Sequence, residues 1–390
     1  MSKWEWKEFE DCIERVKYTT KIPSKDYLQE GEFPIVSQED CLISGYWNDR
    51  SDLFKVTKPI VIFGDHTKVL KYIDFDFVLG ADGVKILCPK DYLNAHFFFY
   101  FLKSVNFDNL GYARHYRLLK ELSVPIPPLS EQKRIVKFLD EEFSKIETLK
   151  TNAETNLKNA KELFETTLEK ELNPQSRHSE RSEESSADLP SGWEWKTLQE
   201  ICGKIVDGTH NSPPNKAKGD YQYITAKNIK ADGIDLSDVT YVSKEVHKEI
   251  FARCNPEKGD VLLIKDGATT GIAVINTLDY EFSLLSSVAL IKVDKTKIYE
   301  KTLVYLLNSK AIYKQMRKKM DGAAITRLTL EKIKALQIPL PPLSVQKEIV
   351  ARLDKLSENV KRLEANYKQI IANCDELKKS ILKKTFEGES

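Results

Sequence analysis

The sequence predicts two α/β units separated by an antiparallel coiled coil of two long helices. Three observations predict it. Pro125-Ile126-Pro127-Pro128-Leu129-Ser130-Glu131-Gln132-Lys133 returns 214 positions later as Pro339-Leu340-Pro341-Pro342-Leu343-Ser344-Val345-Gln346-Lys347. Each copy opens a long run in which apolar residues step by three and four, the pattern of an amphipathic helix. Trp4-Glu5-Trp6-Lys7 restarts as Trp193-Glu194-Trp195-Lys196, so each helix follows its own globular unit. Self-similarity on this scale means that one building unit was used twice.

A chain of 390 residues is too long for one core. Its 41% hydrophobic residues support real cores, and its 31% charged residues imply much solvated helix surface. No apolar run reaches the roughly 18 residues of a membrane span. The N-terminus lacks the apolar centre of a secretory signal, so a cytoplasmic location is expected. Six cysteines stand singly at 12, 41, 88, 202, 254 and 374, which fits a reducing compartment better than a disulfide framework. A net charge of +1 excludes a bulk polycation. Residues 189–336 carry 23 Lys and Arg against 18 Asp and Glu, and residues 1–122 carry 17 against 19. Any polyanion must therefore be met by local basic faces.

Taken in order, residues 1–122 form the first mixed α/β unit. Val61-Ile62-Phe63 and Val84-Lys85-Ile86-Leu87 read as strands bounded by Gly64, Asp65, Asp82 and Gly83. Tyr92 to Ser104, rich in aromatics, reads as a helix, and Gly111 to Leu122 as a loop. Residues 123–172 contain the first spacer helix, with Ser130 as its N-cap and Glu131 in the first turn. Its apolar steps run from Val136 through Leu139, Phe143 and Ile146 to Leu168. A helix of about 40 residues is about 60 Å long and needs a partner along its whole face. Residues 173–188 are a polar, low-complexity linker.

The second unit occupies residues 189–336. Its strands are Asp260 to Ile264 and Ser287 to Ile291, and a helix is predicted over Tyr299 to Met320, ending in Lys314, Arg317, Lys318 and Lys319. Residues 337–390 form the second spacer helix. Leu353, Leu356, Val360, Leu363, Tyr367, Ile370, Cys374, Leu377 and Ile381 step 3-4-3-4, a heptad seam. Two seams of matched length most simply pack on each other within one chain, although pairing with another molecule fits the same pattern.

Short matches to enzymes do not hold together. Asn211-Ser212-Pro213-Pro214 faintly resembles an amino-methyltransferase motif but lacks the aromatic residue and a Gly-rich cofactor loop, and Pro-Pro beside Asn is ordinary turn chemistry. Glu131-Gln132-Lys133 has a nuclease-like form, yet its second copy holds Val345 where a carboxylate would be required. The histidines at 66, 96, 115, 178, 210 and 247 show no ligand spacing for zinc, and no Walker A or G-x-G-x-x-G loop is present. Lys265 to Gly271 is a Gly-bounded loop after a strand, suited to backbone phosphate contact or to a plain hairpin turn. What remains is geometry. Two similar units on a rigid helical spacer suit a split DNA site, whose halves recur about 34 Å apart per turn. A coiled-coil scaffold without DNA specificity is the alternative, and a stand-alone DNA enzyme a third.

The two Pro-hydrophobic-Pro-Pro-Leu-Ser-x-Gln-Lys copies, the Trp-Glu-Trp-Lys openings and Gly322-Ala323-Ala324-Ile325-Thr326-Arg327-Leu328 resemble the specificity subunits of type I restriction–modification systems. The resemblance covers essentially the whole chain. The first unit departs from it, offering Gly111-Tyr112-Ala113-Arg114-His115-Tyr116-Arg117 in place of the Gly-Ala-Ala-Ile-Thr-Arg run. In that family each α/β unit is a target recognition domain for one half of a bipartite site in double-stranded DNA. The two domains are related by a pseudo-two-fold, and the helices are spacers that also dock two modification (methyltransferase) subunits. The resemblance implies that this chain is not catalytic and binds no cofactor or metal. S-adenosylmethionine, ATP and magnesium would belong to the modification subunits and the restriction/translocase subunits. Base edges and phosphates are met by Arg, Lys, Asn, Gln, His and hydroxyl side chains on loops. The candidates in the first unit are Ser37, Gln38, His66, Lys68, Arg114, His115 and Arg117. Those in the second are Thr209, His210, Asn211, Lys227, Asn228, Lys230, Lys265, Thr269, Thr270 and Arg327.

Overall fold

The computed structural model describes residues 4–81, 83–107, 114–173, 189–319 and 327–387. The chain divides into two compact units, Met1–Thr155 with Tyr367–Ser390, and Asn156–Asn366. Both divisions fall inside long helices.

The first unit opens with β1 (Glu5–Glu8), α1 (Phe9–Cys12), β2 (Ile13–Glu14), β3 (Lys21–Ile22), β4 (Phe33–Val36), β5 (Gly45–Trp47) and β6 (Leu53–Phe54). It continues with β7 (Ile60–Gly64), β8 (Leu70–Ile73), β9 (Phe77–Gly80), β10 (Val84–Pro89), α2 (Ala95–Ser104), α3 (Tyr116–Lys120) and β11 (Ser123–Ile126) before α4 (Leu129–Leu172). One sheet runs β2-β10-β7-β8, and a second β3-β9-β4-β5 with β6 also on β9. β7 and β10 bury Val61, Phe63 and Leu87 against Phe97, Phe98 and Phe101 of α2. The aromatic stretch is helical because Asn94 caps it, accepting from the N–H groups of His96 and Phe97.

The second unit repeats the plan. Its elements are β12 (Glu194–Thr197), α5 (Leu198–Ile201), β13 (Cys202–Asp207), β14 (Tyr221–Ile224), β15 (Ile229–Lys230), β16 (Gly233–Ile234), β17 (Thr240–Val242) and α6 (Lys244–Arg253). Then come β18 (Val261–Ile264), β19 (Ala273–Ile275), β20 (Ser283–Leu284), β21 (Val288–Val293), α7 (Glu300–Leu307), α8 (Lys310–Lys319), α9 (Leu330–Lys334), β22 (Gln337–Leu340) and α10 (Leu343–Glu387). The order β13-β21-β18-β19 matches that of the first sheet, and β14 lies between antiparallel β17 and parallel β20, as β4 lies between β5 and β9.

The two repeated motifs prove to be partners. β1 pairs with β11, setting Trp6 opposite Pro125, and β12 pairs with β22, setting Trp195 opposite Pro339. The glutamine of each proline motif is fully buried. Gln132 Nε2 donates to the carbonyls of Tyr92 and Pro127, and its Oε1 accepts from the N–H of Asn94 at 2.7 Å. Gln346 does the same with Lys297, Pro341 and Tyr299. Tyr100 and Tyr305 then donate to Asp140 and Asp354, about two turns farther along each long helix. The side chains of Glu131, Gln132 and Lys133 therefore serve helix anchoring and the solvated surface, with Glu131 paired to Arg134.

The long helices run antiparallel in each unit. In the first, Glu147 meets Lys378 and Asp375 meets Lys150; in the second, Glu171 meets Arg352 at 2.7 Å. Of the 3-4-3-4 seam, one row is well buried: Leu139, Ile146, Ala153 and Ala160 at seven-residue intervals in α4, and Leu353, Val360 and, fourteen residues on, Cys374 in α10, with Tyr367 between them half-buried. The other row leaves Leu149, Leu163, Leu363 and Leu377 exposed, because two helices cover only one side of each rod.

Three expectations need correction. The helix expected over Tyr299 to Met320 is two, broken at Asn308, whose side-chain amide donates to the carbonyl of Ala273 and accepts from its N–H, so that it closes the edge of β19. The loop expected over Gly111 to Leu122 contains α3. Ser130 is not the N-cap, since α4 already includes Leu129, and the N–H groups of Glu131 and Gln132 donate to the carbonyl of Pro128. Most of the polar linker, and the Gly322 to Thr326 and Gly111 to Ala113 motifs, lie outside the described residues. No helix among the described residues is long and apolar enough to cross a membrane.

Candidate nucleic-acid interface

In both units the candidate side chains gather where the loops after equivalent strands meet. In the second unit these are the loop after β13, the segment after β14 and the β18–β19 turn. Gly208 opens the first of them: a Cβ there would lie 1.8 Å from the carbonyl oxygen of Leu284, so only glycine fits. Backbone bonds then zip Thr209 onto Leu284 and Ser286, and Thr209 Oγ1 donates to the carbonyl of Asn211 at 3.1 Å. The β18–β19 turn needs Gly267 and Gly271, with φ of +110° and +107°.

A row of alternating charges joins these loops. Arg253 donates to Asp207 at 2.6 Å, Asp207 faces the Lys265 ammonium at 3.5 Å, Lys265 donates to Asp266 at 3.0 Å, and Asp266 meets Arg327 at 3.4 Å. Asp207 and Lys265 are each 2% exposed, whereas Arg327 is 59% exposed. Burying charges is tolerable because each has an opposite partner on both sides. His210 lies 3.3 Å from Asp207. Lys227 pairs with Asp238 at 2.9 Å and lines two adjoining clefts, of about 360 and 400 Å³. The first is also lined by Lys230 and Thr269, the second by Ser212, Tyr223 and Ser287. Burial pushes the Tyr223 hydroxyl up to about 12.

In the first unit the corresponding turn joins β7 to β8. Gln38, just after β4, accepts from the N–H of His66 at 3.2 Å, and Thr67 Oγ1 donates to the carbonyl of Gln38 at 2.6 Å. Lys68 adopts φ +60°, a left-handed conformation costly for a side chain with a Cβ. Its ammonium donates to the carbonyl of Phe107. The N–H of His115 donates to the carbonyl of Asp65 at 2.7 Å, and the Asp65 carboxylate accepts from the N–H of Tyr116. The N–H of Leu328 makes the same tie to the carbonyl of Lys265 at 2.8 Å. Arg114 is exposed beside this turn, and Arg117 lies on the first turn of α3.

Five candidates are interior, not surface, residues. Ser37, His115, Asn228, Lys265 and Thr270 are all buried. Ser37 bonds Ser44, Asn228 braces Thr225 and Asp235, and Thr270 donates to the carbonyl of Gly267, so these residues shape loops instead of facing outward. Gln38, His66 and Lys68 are brought together, as are Thr209, His210 and Asn211, and Lys227 with Lys230 and Thr269. Asp65, Lys71, Asp207, Arg253 and Asp266 were not anticipated. Lys71 is buried with its ammonium on the carbonyls of Ser37 and Cys41, and burial lowers its pKa. Only its place in the otherwise apolar strand Leu70-Lys71-Tyr72-Ile73 hinted at it. Among the described residues no cluster of His, Cys, Asp and Glu could hold a metal ion.

Comparison with known proteins agrees with this geometry. The profile of the family "Type I restriction modification DNA specificity domain" matches residues 1–159 and 190–372. The chain is 24% identical to the type I restriction enzyme EcoBI specificity subunit of Escherichia coli, over 88% of this chain and 75% of that protein. It is 22% identical to the MjaVIII specificity subunit of Methanocaldococcus jannaschii, over 99% of this chain and 92% of that protein. A solved chain from work on complex assembly and conformational transition of the type I R-M system superposes with a TM-score of 0.73 at 20% identity, covering 100% of this chain and 99% of that one. The HsdS subunit from Thermoanaerobacter tengcongensis superposes with a TM-score of 0.55 at 18% identity, covering 99% and 97%. The protein belongs to the type I restriction–modification DNA specificity family, as the non-catalytic subunit that confers DNA specificity.

Proposed function

We propose that each loop face reads one half of a bipartite site in double-stranded DNA, and that the long helices fix the interval between the halves. The observation that carries this reading is the tie made twice, from the N–H of His115 to Asp65 and from that of Leu328 to Lys265. One platform is anchored identically in both units yet bears different side chains on its loops, as two readers of different sequences require. In the second unit Asn211 and Arg327 suit adenine and guanine edges, His210, Thr209 and Thr269 suit either bases or phosphates, and Lys227 and Lys230 suit phosphates. In the first, Gln38 and His66 are the base-reading candidates, with Lys68, Arg114 and Arg117 for phosphate. Buried Ser37, His115, Asn228, Lys265 and Thr270 hold these loops in shape. The boundaries proposed for the recognition units are residues 1–122 and 189–336, with spacers at 123–172 and 337–390.

The exposed apolar row of the rods, with Leu149 and Leu377 in the first unit and Leu163 and Leu363 in the second, is suited to docking the two modification subunits. S-adenosylmethionine, ATP and magnesium then act in those and the restriction subunits. Exchanging residues 189–336 for the same region of another family member tests the reading by methylome sequencing. One half of the methylated site should change and the other persist; a change in both halves would refute modular reading.

A further inference from the structure

Helix α8 is held on three sides. Ile312 and Met316 are buried in the second unit's core. Gln315 clamps the backbone of Gln337, accepting from its N–H at 2.9 Å and donating to its carbonyl at 3.0 Å. At the N-terminal end Glu169 accepts from the N–H of Ala311, and Glu165 pairs with Lys310. The ring of Tyr313 lies on Gly271, where an added Cβ would come within 2.9 Å of it, so the helix is braced against the β18–β19 turn.

What these contacts leave outward is one face made of Lys314, Arg317 and Lys318, spaced i, i+3, i+4. All three are exposed, and none forms an ion pair or side-chain hydrogen bond among the described residues. Lys227, Lys292, Lys297, Lys301 and Lys310 of the same unit each face a carboxylate. Lys230, Lys244 and Lys258 form no ion pair among the described residues, so what sets α8 apart is three such cations on one face. The segment Lys310–Lys319 contains no acidic residue. Like charges crowded on one face destabilise a helix on their own, so such a face calls for an anion from outside. It also sits in a part of the second unit that outgrows the first: Tyr100 and Tyr305 are 205 positions apart, but the proline motifs are 214 apart. The matching segment of the first unit, residues 105–115, supplies only Arg114 and His115 as cationic candidates.

We propose that α8 grips the sugar–phosphate backbone of duplex DNA beside the half-site read by the second unit, without reading bases. The three cations span about 6 Å of helix axis, enough to meet two or three successive phosphates of one strand. Through Tyr313 on Gly271, this grip sets the register of the β18–β19 turn on the DNA. The inference rests on the DNA-reading role proposed above.

The test uses the full chain and the variant Lys314→Gln/Arg317→Gln/Lys318→Gln. Fluorescence anisotropy on a target duplex and a scrambled duplex, between about 50 and 200 mM salt, gives the slope of log K against log salt. The variant slope should be shallower by about 2 to 3, at about 0.9 for each phosphate no longer neutralised, with the target-to-scrambled ratio unchanged. An unchanged slope, or a collapsed ratio, would overturn the grip. So would an equal loss in the control Lys361→Gln/Lys368→Gln on α10, because the effect would then be one of net charge. If the triple variant melts early, the single variants replace it, each expected to lower the slope by about 1. Wild-type chain that binds no duplex refutes the DNA-reading role itself, whereas wild-type binding with an unaltered variant slope sinks only the α8 grip.

Discussion

Gln132 and Gln346 are each 0% exposed and spend every polar atom on backbone groups at the start of their own helix or in the unit that precedes it. Truncating either leaves one buried proline carbonyl, and a half-buried carbonyl and N–H, without this partner, and a fully buried unpaired group costs about 1–3 kcal/mol. Gln132→Ala or Gln346→Ala should therefore lower unfolding free energy by on the order of 2–3 kcal/mol, readable in urea titration, while Lys133→Ala on the exposed side should change little. The glutamines were visible in the sequence as part of a repeated motif, but their job was not. Nothing local distinguishes a glutamine that anchors a helix from one on its solvent face. The charge row from Arg253 to Arg327 was hidden for the same reason. Asp207, Lys265 and Arg327 are far apart along the chain, and only the folded sheet brings them into line. Lys265 was a candidate DNA contact because a loop lysine suits bases or phosphates; in the fold it is buried between Asp207 and Asp266.

At the scale of elements, the proline motif and the Trp-Glu-Trp-Lys opening were legible as separate markers and are one two-stranded ribbon. Strand pairing across more than 100 residues leaves no trace in local periodicity, so the sequence could count the ribbons but not pair them. The first long helix was legible almost to the residue, since the apolar steps are unbroken over about ten turns. The second, expected from residue 337, begins only at Leu343, because Gln337–Leu340 pairs with Glu194–Thr197 as a strand. Their seam also carries a checkable electrostatic layer. Lys378 and Lys150 hold the carboxyls of Glu147 and Asp375 below the ordinary carboxylate range. Depressed carboxylates stabilise the fold above their unfolded-state value, and that contribution is lost as pH falls through the depressed one. Lys378→Glu should lower the melting temperature modestly at neutral pH and less so in acid. Adding Glu147→Lys should restore it, and high salt should shrink both effects.

For the whole molecule, duplication supplies the plan and divergence the difference. The second unit is longer, more basic and carries α8, while the first balances acids against bases. Under the proposed reading, removing one heptad from each long helix at facing positions shortens the spacer by about 10 Å. Methylome sequencing should then show an interval shorter by about three base pairs between unchanged half-sites. Altered half-sites would mean that the rods shape the readers as well as separating them.

Phe386, near the end of α10, packs edge-on against Phe97 and Phe101, and Leu382 joins the same core. A ribosome that has finished the first α/β unit has therefore not yet made the residues that seal it. At typical synthesis rates the wait is on the order of tens of seconds, during which the aromatic face of α2 stays open. Asn156–Asn366, being continuous, has all its parts as soon as it emerges. Of the two units the trailing one is thus the first whose parts are all made, and the core of the leading one is completed only when Leu382 and Phe386 arrive.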